Sequence, residues 1–311
     1  MATLARIENA ASSPESEAAD AYDAIGERYR TYADGDGRKL FDFSSRYSFA
    51  DREIWQRIDA ALIGLRTSGR TNLKVVDAGC GPGTWLLRVV LRARALGFQS
   101  IEAQGFDISS AMIDLAREEA LITTSGVPEA SFTVCDIEQG LAAHRDVAAD
   151  LVLCLYGVLN HLPAQRHKAV AAELARATAG SLLVTARTIG SLPSIFVAGV
   201  EDALDFQHDH QRDRLCVDLK DGRHIEFGTH LFSASELKSL FADAGEVAEL
   251  TGLDLFHGRF APDARWNPPM IADQDFNDAL VRLEHLCACD ARFIDRAAHV
   301  LLHLKRGERG V

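Results

Sequence analysis

The chain has 311 residues, 47% of them hydrophobic and 25% charged, the proportions of a folded globular protein with one large domain or two small ones. This excludes collagen-like, coiled-coil and wholly disordered readings, and a chain this long buries a core without disulfides. Its 45 acids against 33 bases give a formal charge of −12 and no dense basic run, which argues against a nucleic-acid partner, because phosphate backbones draw clusters of Lys and Arg.

No apolar run approaches the roughly 18 residues that span a bilayer. Residues 1–16 lack the apolar segment of a signal peptide, so no membrane association and a cytoplasmic location are expected. The six cysteines are then expected as thiols.

Residues 1–17 are polar. From Asp20 onward Tyr22, Ile25, Tyr29 and Tyr32 recur at helical spacing, and the Asp-Gly-Asp-Gly of residues 34–37 ends that helix. A second helix is expected over 48–65, with Ile54, Ile58, Leu62 and Leu65 inward. Residues 73–78 are a β-branched run, followed by a glycine-rich turn and a helix over 84–96 with Thr84 as N-cap. A strand over 100–106, a helix over 109–121 capped by Ser109, and strands over 131–135 and 150–156 come next. An Ala-rich helix over 164–178 and a strand over 181–186 complete the alternation. Strands alternating with helices at this spacing imply a doubly wound α/β fold, a mostly parallel sheet with helices on both faces.

Past Arg187 the alternation breaks. Residues 189–213 read as irregular. Residues 215–219 and 224–229 flank Asp221-Gly222, a hairpin signal. A helix over 233–244 opens with Ser233 and Glu236 in capping-box spacing. A strand over 246–250, a Pro-rich loop over 256–269, a helix over 273–286 and a strand over 298–304 follow.

The strongest signal is the loop Asp77-Ala78-Gly79-Cys80-Gly81-Pro82-Gly83 between a strand and a helix. Such a loop lies at the carboxyl edge of the sheet, where open α/β sheets bind ligands. Its spacing is neither the G-x-G-x-x-G of dinucleotide sites nor a phosphate loop, which needs a Lys. An acid before the first glycine suits a ligand carrying positive charge or donors. Asp107 ends the second strand about 20–25 residues further on, where a carboxylate binds ribose hydroxyls; Ile108 follows it. Asp136 ends the third strand and is placed to accept from an exocyclic amino group, with Ile137 against the ring.

These motifs, with Leu155-Tyr156-Gly157-Val158-Leu159-Asn160-His161 after the fourth strand, resemble in chain order the class I S-adenosylmethionine-dependent methyltransferases, over about residues 73–187. The resemblance implies a Rossmann-like sheet of seven strands. It also implies an N-terminal helical lid over 1–66 and a cofactor domain over 67–311 with insertions at about 189–230 and 253–297. By it, Asp77, Gly79, Cys80, Gly81 and Gly83 form the loop that holds the methionine part of S-adenosyl-L-methionine. Asp107 and Ile108 hold the ribose, Asp136 and Ile137 the adenine, and Tyr156, Tyr22 and Tyr29 border the same site. His161 stands where a general base would act, and Asn160 where cofactor or acceptor is oriented. The expected reaction is methyl transfer to an O, N, S or C nucleophile of a small molecule, releasing S-adenosyl-L-homocysteine. The rivals are a nicotinamide-dependent oxidoreductase and a non-catalytic partner subunit. Oligomeric state is left open, a homodimer being one option. His208 and His210 read as a solvated loop, and His285, Cys287 and Cys289 do not converge on one helix face, so no metal is expected.

Overall fold

The computed structural model describes residues 17, 19, 20, 22, 23, 40, 41, 43, 48–123, 129–143, 148–191, 203–244, 247–257 and 274–306. Its main element is a seven-stranded sheet. Five strands are β1 (Asn72–Ala78), β2 (Ser100–Asp107), β3 (Ala130–Val134), β4 (Ala149–Cys154) and β5 (Thr178–Arg187). Chain order then passes through β6 (Ala203–Asp209), β7 (Arg214–Leu219) and β8 (His224–Gly228), which form a separate antiparallel sheet. It returns to the main sheet with β9 (Val247–Leu253) and β10 (His299–Lys305). The strand order is β3-β2-β1-β4-β5-β10-β9. The first five strands are parallel, and β10 runs antiparallel to both neighbours.

Among the described residues seven α-helices flank these strands: α1 (Ser48–Thr67), α2 (Thr84–Ala95), α3 (Ser110–Thr123), α4 (Ile137–Ala142), α5 (Ala164–Arg176), α6 (Ala234–Leu240) and α7 (Gln274–Cys287). The two-residue alternation of strand side chains sorts the core into two layers. Val75, Leu151, Leu153, Leu183 and Leu301 pack with α1, α2 and α3 on one face. Val76, Val152, Val184, Val300 and Leu302 pack with α4, α5 and α6 on the other. Strands covered on both sides read as continuous apolar runs, and all six residues of β4 are buried. Ile54, Ile58 and Leu62 of α1 are fully buried in the same layer as β1 and α2. That helix is therefore part of the central body.

Several local expectations change. Gly83, at φ 80°, caps α2 with no side-chain hydrogen bond, so Thr84 is its first residue and not its cap. Residues 203–209 form β6 where irregular chain was expected. Leu204 points outward at 69% exposure on this edge strand, so the apolar alternation that marks a strand is missing. Helix α4 and a 3-10 turn at Val158–His161 are too short to show a periodicity. Ser233 caps α6 through Glu236 N–H at 3.1 Å, but the Glu236 carboxylate reaches His230 at 2.9 Å and so does not close the capping box. Tyr29 and Tyr32 lie outside the described residues, as does most of the Pro-rich loop.

Candidate functional site

At the carboxyl ends of β1, β2 and β4 a cavity encloses about 750 Å³ of space, part of it open to solvent. Its floor is the loop after β1. Gly79, Gly81 and Gly83 all take positive φ, at 74°, 52° and 80°, a region that costs an L side chain strain. At Gly79 there is also no room, since a Cβ there would stand 2.4 Å from Val158 Cγ2. The loop is tied to β2. Gly79 and Cys80 N–H donate to the Phe106 carbonyl at 2.8 and 3.0 Å, and Gly81 N–H donates to Asp107 Oδ2 at 2.9 Å. These three amides are therefore not a nest for a pyrophosphate, which needs free N–H groups.

Asp77 lies beneath this loop, 2% exposed. Its Oδ2 has no hydrogen-bond partner among the described residues. Burial, followed by the nearby Asp107 charge, pushes its pKa up to about 8. A buried acceptor without a donor is unfavourable by about 1–3 kcal/mol, a penalty that a ligand's ammonium or N–H would relieve. Asp107 is half-buried in the cavity wall. Its two oxygens accept from Gly81 N–H and, at 2.9 Å, Ser109 N–H. Burial raises its pKa, and the backbone hydrogen bonds oppose the rise. Each oxygen keeps a second lone pair, so the carboxylate can still receive a diol. Asp136 caps α4 through Glu138 N–H at 2.9 Å and pairs with Arg166 at 2.8 Å. Both contacts fall on Oδ1, leaving Oδ2 for a ligand. Ile108, Ile137 and Met112 supply apolar wall.

The opposite wall is assembled from distant segments. Tyr156, at φ 58°, lines the cavity, and its hydroxyl donates to Asp51 Oδ1 at the start of α1. Trp85 packs beside its ring at 6.2 Å. His161, at the end of the 3-10 turn, places Nδ1 3.2 Å from the Gly228 carbonyl of β8. A carbonyl only accepts, so Nδ1 carries the hydrogen and Nε2 holds the lone pair. Nε2 then accepts from the Tyr22 hydroxyl at 3.0 Å. Burial lowers the His161 pKa to about 4, against the Gly228 hydrogen bond and helped by Arg187. The ring is therefore neutral at physiological pH. Phe227 packs on it at 5.5 Å.

Two further residues before position 24 make long-range contacts. Asp23 accepts from the Ser109 hydroxyl and, at 3.2 Å, from Ala111 N–H at the start of α3. Glu17 pairs with Arg214 of β7 at 2.6 Å.

Of the sequence-derived candidates, Tyr22, Gly79, Gly81, Asp107, Ile108, Asp136, Ile137, Tyr156 and His161 meet around one cavity. Cys80 and Gly83 shape the loop without lining it. Asn160 is fully buried and does not reach the cavity. Its amide nitrogen donates to the Arg187 and His230 carbonyls, and its oxygen accepts from Arg187 N–H at 2.9 Å. It joins the turn that carries His161 to β5 and to the chain after β8. Tyr29 is outside the described residues. Phe106, Met112, Leu155, Val158 and Leu162 line the cavity without having been singled out. Their one sequence signal is adjacency to the motif residues.

Residues 75–180 match the family model described as a methyltransferase domain. Two solved structures of magnesium protoporphyrin IX methyltransferase from Synechocystis PCC 6803 share the fold. The one with bound S-adenosylmethionine is 18% identical, with 96% of this chain and 100% of that chain covered and a TM-score of 0.52. The one with bound S-adenosylhomocysteine is 18% identical, with 95% and 100% covered and a TM-score of 0.51. No curated protein matches the sequence.

Proposed function

From the match of residues 75–180 to a methyltransferase-domain model and the fold shared with the solved structures, we propose that this protein binds S-adenosyl-L-methionine in the cavity and methylates a small organic acceptor beside Tyr22 and His161. One observation carries the reading. Buried Asp77 Oδ2, with no hydrogen-bond partner among the described residues, lies under a loop in which Gly79 and Gly83 leave no room for side chains, and Asp107 and Asp136 line the cavity after the next two strands. That donor-seeking set suits a ligand with an ammonium, a ribose diol and an adenine amine. It does not suit a dinucleotide, because the loop amides already have partners.

When bound, the cofactor supplies an electrophilic methyl group on a sulfonium. The chain's residues do the rest. Asp77, Gly79 and Gly81 hold the methionine end, Asp107 and Ile108 the ribose, and Asp136 and Ile137 the adenine. Tyr156, clamped by Asp51, walls the reacting end. Orientation and exclusion of water are the main contributions such a site makes to methyl transfer. Neutral His161 holds the Tyr22 hydroxyl, which faces the acceptor. An acceptor proton passes to the Tyr22 oxygen as the Tyr22 proton passes to Nε2. Asn160 positions the turn. The acidic chain and the second sheet, which touches His161 through Gly228, support a small molecule over a nucleic acid as acceptor.

Calorimetry with S-adenosylmethionine, S-adenosylhomocysteine and NAD tests the proposal. The expected result is micromolar binding of both sulfur compounds, none of NAD, and marked loss in Asp107→Asn. Binding of NAD alone overturns it.

A further inference from the structure

The outer face of the three-stranded sheet gathers metal-ligating side chains that the cavity does not use. In the antiparallel register of β7 and β8, Cys216 stands opposite Glu226 and Asp218 opposite His224. Residues two apart on a strand share a face, so all four project on the same side. Leu215, Val217 and Leu219 project on the other and are buried, which turns the polar face outward. One ligand atom from each of Cys216, His224 and Glu226 lies within 4.8 Å of the other two. Zinc bonds of about 2.0–2.3 Å set tetrahedral ligands roughly 3.3–3.8 Å apart, so rotation of the exposed His224 and Glu226 side chains toward part-buried Cys216 closes the set without moving the strands.

We propose that Cys216, His224 and Glu226 bind a divalent cation of the zinc class, with water as fourth ligand. A thiolate and an imidazole select such a metal over magnesium or calcium. Asp218 accepts from His224 Nδ1 at 2.7 Å, which fixes the tautomer and leaves Nε2 for the metal, the carboxylate–histidine support usual at zinc sites. The thiolate is the ligating form, so binding displaces the thiol proton to solvent. Arg214 is the internal competitor. Its guanidinium reaches Glu226 at 2.9 Å and Glu17 at 2.6 Å. The metal takes Glu226 from Arg214, which keeps Glu17. The bound ion then clamps the hairpin whose last residue, Gly228, holds His161.

Titration of the full chain with Zn²⁺ and with Co²⁺ tests this independently of any methyl transfer. One equivalent should bind, and cobalt should give a thiolate-to-metal charge-transfer band in the near ultraviolet. Cys216→Ser should abolish the band and weaken zinc by about tenfold or more, and Asp218→Asn should weaken zinc by about tenfold. Arg214→Gln should tighten it. His210→Ala should change nothing, although His210 and His208 stack at 4.1 Å on β6 and the adjoining turn and are the obvious place for adventitious binding. No band with the wild type, zinc affinity unchanged in Cys216→Ser, or loss in His210→Ala would each overturn the proposal.

Discussion

The two walls of the cavity are built in opposite ways. One consists of the loop after β1 and the acids after β2 and β3, each acid fixed by a backbone N–H two residues on, and Asp107 also by Gly81 N–H of the neighbouring loop. The other joins Tyr22, His161 and Gly228, from the N-terminal segment, the turn after β4 and the second sheet. The first wall is rigid because sheet register fixes it. The second depends on three segments docking together, so it is the place where substrate choice and closure can vary without disturbing the core.

The largest effect should separate the walls outright. Asp107→Ala removes an acceptor that holds Gly81 and Ser109 as well as the ligand. Two hydrogen bonds to a charged group at about 1.5 kcal/mol each amount to roughly a 100-fold weaker cofactor affinity by calorimetry. His161→Gln should instead leave cofactor affinity within about twofold and lower turnover by about 10²–10⁴-fold. Equal losses of affinity in both variants would erase the distinction between the walls.

A second experiment probes where the walls touch. Gly79→Ala combines a left-handed backbone with a collision against Val158. It should cost about 1–3 kcal/mol of stability in denaturant melts. Adding Val158→Ala should recover the steric part and not the backbone part. Full recovery would show that only space, and not φ, demands glycine.

The walls should also differ in pH response. In the second wall His161 is lowered to about 4 by burial, and on β10, outside both walls, burial lowers His303 to about 4 and His299 to about 3. Their folded forms bind fewer protons than the unfolded chain, so their contribution is present above about pH 6.5 and lost as pH falls toward 4. Asp77 runs the other way. Its folded pKa of about 8 exceeds 3.8, so its contribution declines as pH rises through that interval. Asp77→Asn should therefore stabilise the ligand-free protein at pH 9 and leave it nearly unchanged at pH 4. His161→Gln should flatten the acid limb. These are the smallest shifts, read as changes in Tm across pH.

How much was legible follows the same division. The order of strands and helices through β5 except α4, the loop glycines and the two strand-end acids could be read from residues 73–187, because each depends on neighbours in sequence. Ser109 as a cap and the Asp221-Gly222 hairpin are equally local. β6 was missed because an edge strand with Leu204 in solvent lacks the alternation of a buried one. Thr84 was misplaced because a left-handed glycine can end a turn and start a helix with no side-chain cap. Asn160 was read as a site residue from its place beside His161, yet that place puts its amide among the backbone of β5 and the chain after β8.

The sequence by itself determined the α/β frame and the ligand-facing edge of its first strands, because hydrophobic period, glycine conformation and strand-end acids act over a few residues. Only the tertiary structure decided that Tyr22 meets His161, that the Gly228 carbonyl sets its tautomer, that Asp77 Oδ2 has no partner among the described residues, and that Cys216 faces His224 and Glu226. Those facts depend on docking and register between segments far apart in the chain, where side-chain partners are set by packing and not by local preference.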